Sequence, residues 1–77
     1  NRRCSGAAAV ALLRESATLT QPAWLAYAES DGSTSEQVVD PIRVATGTLT
    51  AFDHRTGQVR TFVLARVAAA APAHAPE

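Results

Sequence analysis

The chain is 77 residues long, carries no formal net charge at neutral pH, and contains one cysteine and two histidines. This length suits one small domain, which buries roughly 60–65% of its unfolded surface. The single Cys4 excludes an internal disulfide and, with two distant histidines, argues against a zinc site. No apolar run approaches the about 18–20 residues that span a membrane. Because the chain starts at Asn1 and has no methionine, we expect it to be cut from a longer protein.

Charges are segregated along the chain. Residues 1–14 hold three arginines and no acid, residues 15–40 hold five acids and no base, and residues 43–66 hold four arginines against Asp53. The chain contains no lysine. Arginine forks suit phosphates and stack on bases in ways that lysine does not. A surface for an anionic ligand is therefore expected in the second half of the chain.

A helix is predicted near the start of the chain. Residues 1–6 are interpreted as a linker, and the alanine- and leucine-rich segment 7–17 predicts a short amphipathic helix that packs on a sheet. Two arginines followed by small apolar residues also resemble a signal peptide. Arg14 and Glu15 end that run early, so we favour a cytoplasmic protein over a secreted one.

Two strands are predicted after the helix. Residues 23–28 predict the first strand, residues 30–35 are all turn formers, and residues 37–45 predict the second strand. Pro41 has no N–H to donate to a strand ladder. We therefore expect an edge position or a bulge at Pro41.

Segment 47–67 is predicted to form a β-hairpin. Threonine, valine and phenylalanine alternate with period two on both sides of the glycine-containing turn 54–57, and the apolar spacing of a helix is missing. Residues 68–77 contain alanine and proline but no core-forming side chain. A flexible tail is therefore predicted from residue 68 onward.

Together these elements predict a mainly β fold with one N-terminal helix over residues 7–67. The strands follow one another in hairpin order, so strands that are neighbours in sequence are expected to pair. An antiparallel sheet of four to five strands with one apolar face closes most simply as a small SH3- or Sm-like barrel. The helix would then plug one end of the barrel.

Several short motifs occur in a fixed order between residues 12 and 67. They are Tyr27, Val-Asp-Pro at 39–41, Leu-x-Ala-Phe-Asp at 49–53, and Gly-x-Val-Arg-Thr-Phe-x-Leu-x-Arg-Val at 57–67. This order resembles the WYL domain family, whose members are small Sm- or SH3-type barrels in bacterial transcription regulators, CRISPR-associated proteins and some helicases. Similar sequences occur in helicase-like DNA-repair proteins of actinobacteria. The Trp-Tyr-Leu triplet that names the family falls on Gly-Thr-Leu at 47–49.

The resemblance implies a noncatalytic accessory domain within a larger DNA-processing or transcription-regulating protein. Its partner would be single-stranded DNA, RNA or a nucleotide-like ligand. Arg60 and Arg66 match basic positions of the family and would bind phosphate, and Tyr27 would stack on a base. Arg43 and Arg55 would add positive charge to the same surface. No Ser-His-Asp, paired-carboxylate, P-loop or metal-ligand pattern is present, so no catalytic residue, metal or cofactor is predicted.

A rival interpretation is a structural or protein–protein interaction module that packs on other domains of its parent. The missing Trp and Tyr and the zero net charge favour this rival. In this case the two family arginines would pair with Asp40 or Asp53 and link neighbouring strands, and Tyr27 would pack against Phe62. Arginines clustered on one open face would favour ligand binding, whereas arginines paired with Glu29, Glu36 or Asp40 would favour the structural role.

Overall fold

The structure, a computed structural model, describes residues 3–73. It consists of one helix followed by five antiparallel strands and a single 3-10 turn. In chain order the elements are α1 (Gly6–Leu19), β1 (Ala23–Ala28), β2 (Thr34–Ala45), β3 (Thr48–Asp53), β4 (Gln58–Val63), the 3-10 turn (Leu64–Arg66) and β5 (Val67–Pro72). The strands form one sheet in the order β4-β3-β2-β1-β5. The predicted mainly β fold with one N-terminal helix is confirmed.

Helix α1 extends slightly beyond the predicted segment 7–17 and covers one face of the sheet. Its alanines and leucines favour helix, and the buried side chains are Ala9, Leu12, Leu13 and Ser16. The helix ends at Thr20, which adopts a left-handed conformation with φ of 55° and donates its N–H to Ala17. This places the apolar side of α1 against β2 and β5.

The predicted hairpin 47–67 is confirmed over strands β3 and β4. Leu49, Ala51 and Asp53 are buried and Phe52 is exposed on β3, while Phe62 is buried between exposed neighbours on β4. The β2–β3 and β3–β4 turns place Gly47 and Gly57 at φ of 77° and 74°, which glycine adopts without strain. Period-two alternation therefore predicted the hairpin, and the structure shows which side of each strand is buried.

The predicted bulge at Pro41 is also confirmed. The pairing of β2 with β3 shifts register between Pro41 and Arg43. Strand β2 lies inside the sheet between β1 and β3, so the alternative of an edge position does not apply. A bulge allows a proline inside the sheet because it interrupts the ladder where the missing N–H would be needed.

The predicted flexible tail is wrong over residues 68–72. These residues belong to β5, which pairs with β1 so that Leu25 lies opposite Ala70. Ala70 is fully buried, and its N–H and C=O both bond to the backbone of Cys4, at 2.8 and 2.7 Å. The prediction rested on the absence of core-forming side chains after Val67, but Ala70 belongs to the same core cluster as Leu12 and Leu13 of α1. Residues 74–77 and 1–2 lie outside the described residues.

The expected barrel is not closed, because β4 and β5 are not neighbours in the sheet. They are joined by the three-residue turn Leu64–Arg66, which separates the two strands where a closing ladder would begin. The N–H of Val63 instead donates to the hydroxyl of Tyr27 at 2.9 Å, and the N–H of Leu64 donates to the carbonyl of Gly47 at 3.0 Å. A side-chain hydroxyl and a turn carbonyl therefore accept these two N–H groups, which do not bond to β5.

The core lies between α1 and the inner face of the sheet. Its largest fully buried apolar side chains are Phe62, Leu13, Leu25, Leu49 and Val39. The described part of the chain has no helix long and apolar enough to cross a bilayer.

Candidate functional site

A small cleft opens where the end of β1 meets β4 and the 3-10 turn. Tyr27, Glu29, Ser30, Arg60 and Arg66 line it, and it encloses about 220 Å³. We refer to this feature as the Arg66 cleft. Three of the five side chains that the sequence predicted for a ligand site, Tyr27, Arg60 and Arg66, are therefore brought together.

Tyr27 forms a buried wall of the Arg66 cleft. Its exposed fraction is 6%, and its ring packs edge-on against Phe62 with centroids 5.1 Å apart and an interplanar angle of 82°. Edge-on pairs of this kind stabilise a core. The Tyr27 hydroxyl accepts the N–H of Val63. The ring therefore packs against Phe62, as the structural interpretation predicted, and its face is not open for a base to stack on.

Arg60 is held by two carboxylates. Its Nη2 donates to Glu29 Oε1 at 3.1 Å, its Nη1 lies 3.6 Å from Asp53 Oδ2, and the same Nη1 donates to Gln37 Oε1 at 3.4 Å. The guanidinium also stacks over Phe62 at 4.7 Å from the ring centroid. Arg60 thus links the loop after β1 to the β3–β4 hairpin, as the rival interpretation expected of a structural arginine.

Asp53 is the most deeply buried charged group of the described chain, with no exposed surface. Its Oδ1 accepts the backbone N–H of Arg55 at 2.9 Å and so shapes the β3–β4 turn. Its Oδ2 has no hydrogen-bond partner within residues 3–73, which leaves Arg60 as its charge compensation. A buried carboxylate needs such a partner because desolvation disfavours its charged form.

Glu29 is the acidic member of the Arg66 cleft. Its Oε2 accepts the hydroxyl of Ser35, which in turn accepts Gln37 Nε2 at 3.0 Å. The Ser35 hydrogen bond, followed by the hydrogen bond and positive charge of Arg60, lowers the pKa of Glu29 below its ordinary value of 4.5. Glu29 is therefore ionised at neutral pH, and its carboxylate accepts a hydrogen bond from one terminal nitrogen, Nη2, of the Arg60 guanidinium.

Arg66 differs from Arg60 because it has no carboxylate partner among the described residues. Its side chain is exposed, and Nη1 donates to the carbonyls of Ala28 and Glu29 at 3.1 and 3.3 Å. These two bonds hold the side chain of Arg66, which lines the Arg66 cleft. Its Nε and Nη2 donate to no group within residues 3–73.

The comparison with protein-family models identifies the family of this chain. The model of the WYL domain matches residues 8–72. The chain belongs to the WYL domain family. The match includes β5, which the sequence motifs left outside the domain.

A solved structure supports the same fold for this WYL domain. Proteasome accessory factor B/C (PafBC) of Arthrobacter aurescens matches with a TM-score of 0.76 and 28% identity, over 86% of this chain and 11% of that chain. The WYL domain thus corresponds to a small part of PafBC. A comparison with proteins of curated function found no match.

The remaining predicted site residues of the WYL domain lie outside the Arg66 cleft. Arg43 is exposed beside the bulge of β2, and Arg55 is exposed in the β3–β4 turn. Neither lines the cleft. Within residues 3–73, no group of three potential metal ligands is close enough to hold an ion.

The sequence did not assign Glu29 and Ser30 to the site. Glu29 and Arg60 are 31 positions apart, so no local spacing indicates their contact. The available signal was the segregation of acids into the first half and arginines into the second half. Segregated charges of this kind pair only when the halves fold onto each other.

Proposed function

We propose that this WYL domain is a noncatalytic accessory domain of a larger regulatory or DNA-processing protein, and that it binds single-stranded nucleic acid or a nucleotide-like ligand at the Arg66 cleft. The observation that carries the proposal is the exposed guanidinium of Arg66. It is oriented by two backbone carbonyls and has no acidic partner in residues 3–73. An arginine with unused donors suits a phosphate because the charge-assisted bonds can be bidentate.

The binding mechanism is phosphate neutralisation with little base stacking. Tyr27 is only 6% exposed and packs against Phe62, so a base gains less than the about 1–3 kcal/mol of a full aromatic stack. Arg60 is already paired with Glu29 and Asp53. With Arg66 as the main contact and Arg43 and Arg55 supplying positive charge elsewhere, we expect weak binding that falls as salt rises.

The test is fluorescence anisotropy with short labelled single-stranded DNA and RNA at low and moderate salt. We expect Arg66→Ala to weaken binding about fivefold to tenfold, the cost of one charge-assisted contact of about 1–1.5 kcal/mol. Arg14→Ala on the exposed face of α1 is the matched control, because it removes the same charge away from the Arg66 cleft. Equal binding by wild type and both variants would contradict the proposal.

A second candidate function is a protein–protein interaction module. The pairing of Arg60 with Glu29 and Asp53 favours it, as do the exposed side chains of Phe52, Val59 and Val63 on the outer face of β3 and β4. Other domains of the parent protein would then be the partner. Absence of nucleic-acid binding even at low salt would favour this candidate.

A further inference from the structure

Glu29 occupies a position on Arg60 that suits an anionic ligand. Its carboxylate lies 3.1 Å from Arg60 Nη2, and the backbone carbonyl of the same residue accepts Arg66 Nη1 at 3.3 Å. Both arginines of the Arg66 cleft are thus bonded to one residue. A phosphate that contacts Arg66 approaches the Glu29 carboxylate as well, and the two negative charges repel each other.

The charge balance around Arg60 is unfavourable for an incoming anion. Arg60 carries one positive charge and faces two carboxylates, Glu29 and the fully buried Asp53. Asp53 cannot move away without breaking the β3–β4 turn that its Oδ1 shapes. Glu29, in contrast, lies in the loop after β1 with its side chain 23% exposed, so its carboxylate can turn toward solvent.

We propose that Glu29 is a specificity-determining residue that competes with the ligand for Arg60, so that only an anion able to displace its carboxylate engages both arginines. This inference rests on the proposed function, because it concerns the same Arg66 cleft. A lone phosphate then contacts Arg66 alone. A ligand with more charge or more contacts displaces Glu29 and gains Arg60 as a second contact.

The hydrogen bond from Ser35 sets the strength of this competition. Ser35 holds Glu29 Oε2 and is itself held by Gln37, so the carboxylate is oriented toward Arg60 by groups of β2. The lowered pKa of Glu29 means that the competing charge persists at neutral pH. Removing the charge while keeping an acceptor should therefore release Arg60 without removing its hydrogen-bond partner.

The experiment compares Glu29→Gln with Asp31→Asn. Glutamine keeps an oxygen that can accept from Arg60. Asp31 is the matched control, because it lies in the same loop but bonds only to Ser33 in the described chain, at 2.9 Å to its N–H and 2.6 Å to its hydroxyl. Each variant removes one negative charge, so long-range electrostatic effects are shared and the local contact with Arg60 is the difference.

The first readout is anisotropy with a short labelled oligothymidylate at low salt. We expect Glu29→Gln to bind about fivefold more tightly than both wild type and Asp31→Asn, the scale of one like-charge contact at about 4 Å in water. An equal gain in both variants would show a general charge effect and overturn the inference. If wild type binds oligothymidylate, unchanged or weaker binding by Glu29→Gln would also overturn the inference.

The second readout separates this inference from the proposed function. Side-chain Nε–H resonances of Arg60 and Arg66 are followed by NMR during titration with inorganic phosphate. We expect Arg66 to respond in wild type and Arg60 to respond only in Glu29→Gln. Failure of Arg60 to respond in that variant overturns the inference. The Arg60 and Arg66 resonances of Glu29→Gln can both respond to phosphate while neither wild type nor any variant binds oligothymidylate. In that case the nucleic-acid function fails, and the competition between Glu29 and an anion for Arg60 stands.

Discussion

At the scale of single residues, Arg60 and Arg66 show how the same side chain takes two roles. Arg60 alternates with Val59 and Thr61 on β4, so its side chain points toward the inner face that carries Phe62. There it meets a buried carboxylate and an aromatic ring. Arg66 leaves a 3-10 turn at the surface and meets backbone carbonyls. The element that carries each arginine and the groups that its side chain meets, rather than residue type, decide which arginine is structural.

The structural role of Arg60 predicts a measurable loss of stability. We expect Arg60→Ala to lower the free energy of unfolding in urea by about 2–3 kcal/mol, because it leaves Asp53 Oδ2 buried without compensation. This is less than for a fully buried pair, because the Arg60 side chain is 31% exposed.

Arg43→Ala is the control for this loss, since Arg43 is exposed and has no ion-pair partner within residues 3–73. Its effect should stay within about 0.5 kcal/mol. Similar unfolding midpoints for the two variants would show that Arg60 does not compensate Asp53.

At the scale of elements, β5 is the strand that the amino-acid composition does not predict. Its sequence Val-Ala-Ala-Ala-Ala-Pro lacks the β-branched and aromatic residues typical of strands. The strand forms because the backbone of β5 can pair with the free edge of β1, while its small side chains pack against the apolar face of α1. Tertiary context therefore overrides local propensity here.

Substitutions in β5 test its place in the core. We expect Ala70→Asp to prevent folding, because a carboxylate at this fully buried position has no partner and the cost exceeds what a small domain with about 5 kcal/mol of stability can absorb.

Ala68→Asp is the matched change on the same strand, at an exposed position, and should leave a folded protein. Circular dichroism and urea titration distinguish the two. A folded Ala70→Asp protein would mean that β5 is not needed for the core.

At the scale of the whole molecule, folding joins charges that the sequence separates. Glu29, from the acidic residues 15–40, forms an ion pair with Arg60, from the arginine-rich residues 43–66. The formal net charge is zero, so binding of an anion depends on local geometry rather than on a general positive field. This is why Arg66, which has no carboxylate partner within residues 3–73 and lines a cleft, can define the candidate site.

Acid should destabilise the whole molecule through Glu29 and Asp31. Hydrogen bonds from Ser35 to Glu29 and from Ser33 to Asp31 lower the pKa values of both carboxyls below the ordinary 4.5 and 3.8. Groups with lowered pKa values stabilise the fold above their unfolded pKa, and the contribution is lost as pH falls through the folded value. We expect the urea midpoint to drop between neutral pH and a pH below 3.8.

Glu29→Gln should show a smaller drop than wild type, since glutamine does not titrate. The comparison needs only urea titrations of the two proteins at both pH values. A drop of the same size in the variant would mean that Glu29 does not contribute to the acid sensitivity.

The sequence by itself determined helix α1, strands β1, β3 and β4, most of β2, an edge position or a bulge at Pro41, and the family. These follow from local physics: helix propensity, period-two alternation, the missing N–H of proline, and turn residues fixed by backbone sterics. Residues 34 and 35, which were predicted as part of a turn, belong to β2. Tertiary structure alone decided that β5 joins the sheet, that the sheet stays open, and that Glu29 faces Arg60. Each of these depends on groups far apart in the chain, whose contact energies appear only once the sheet and α1 have packed.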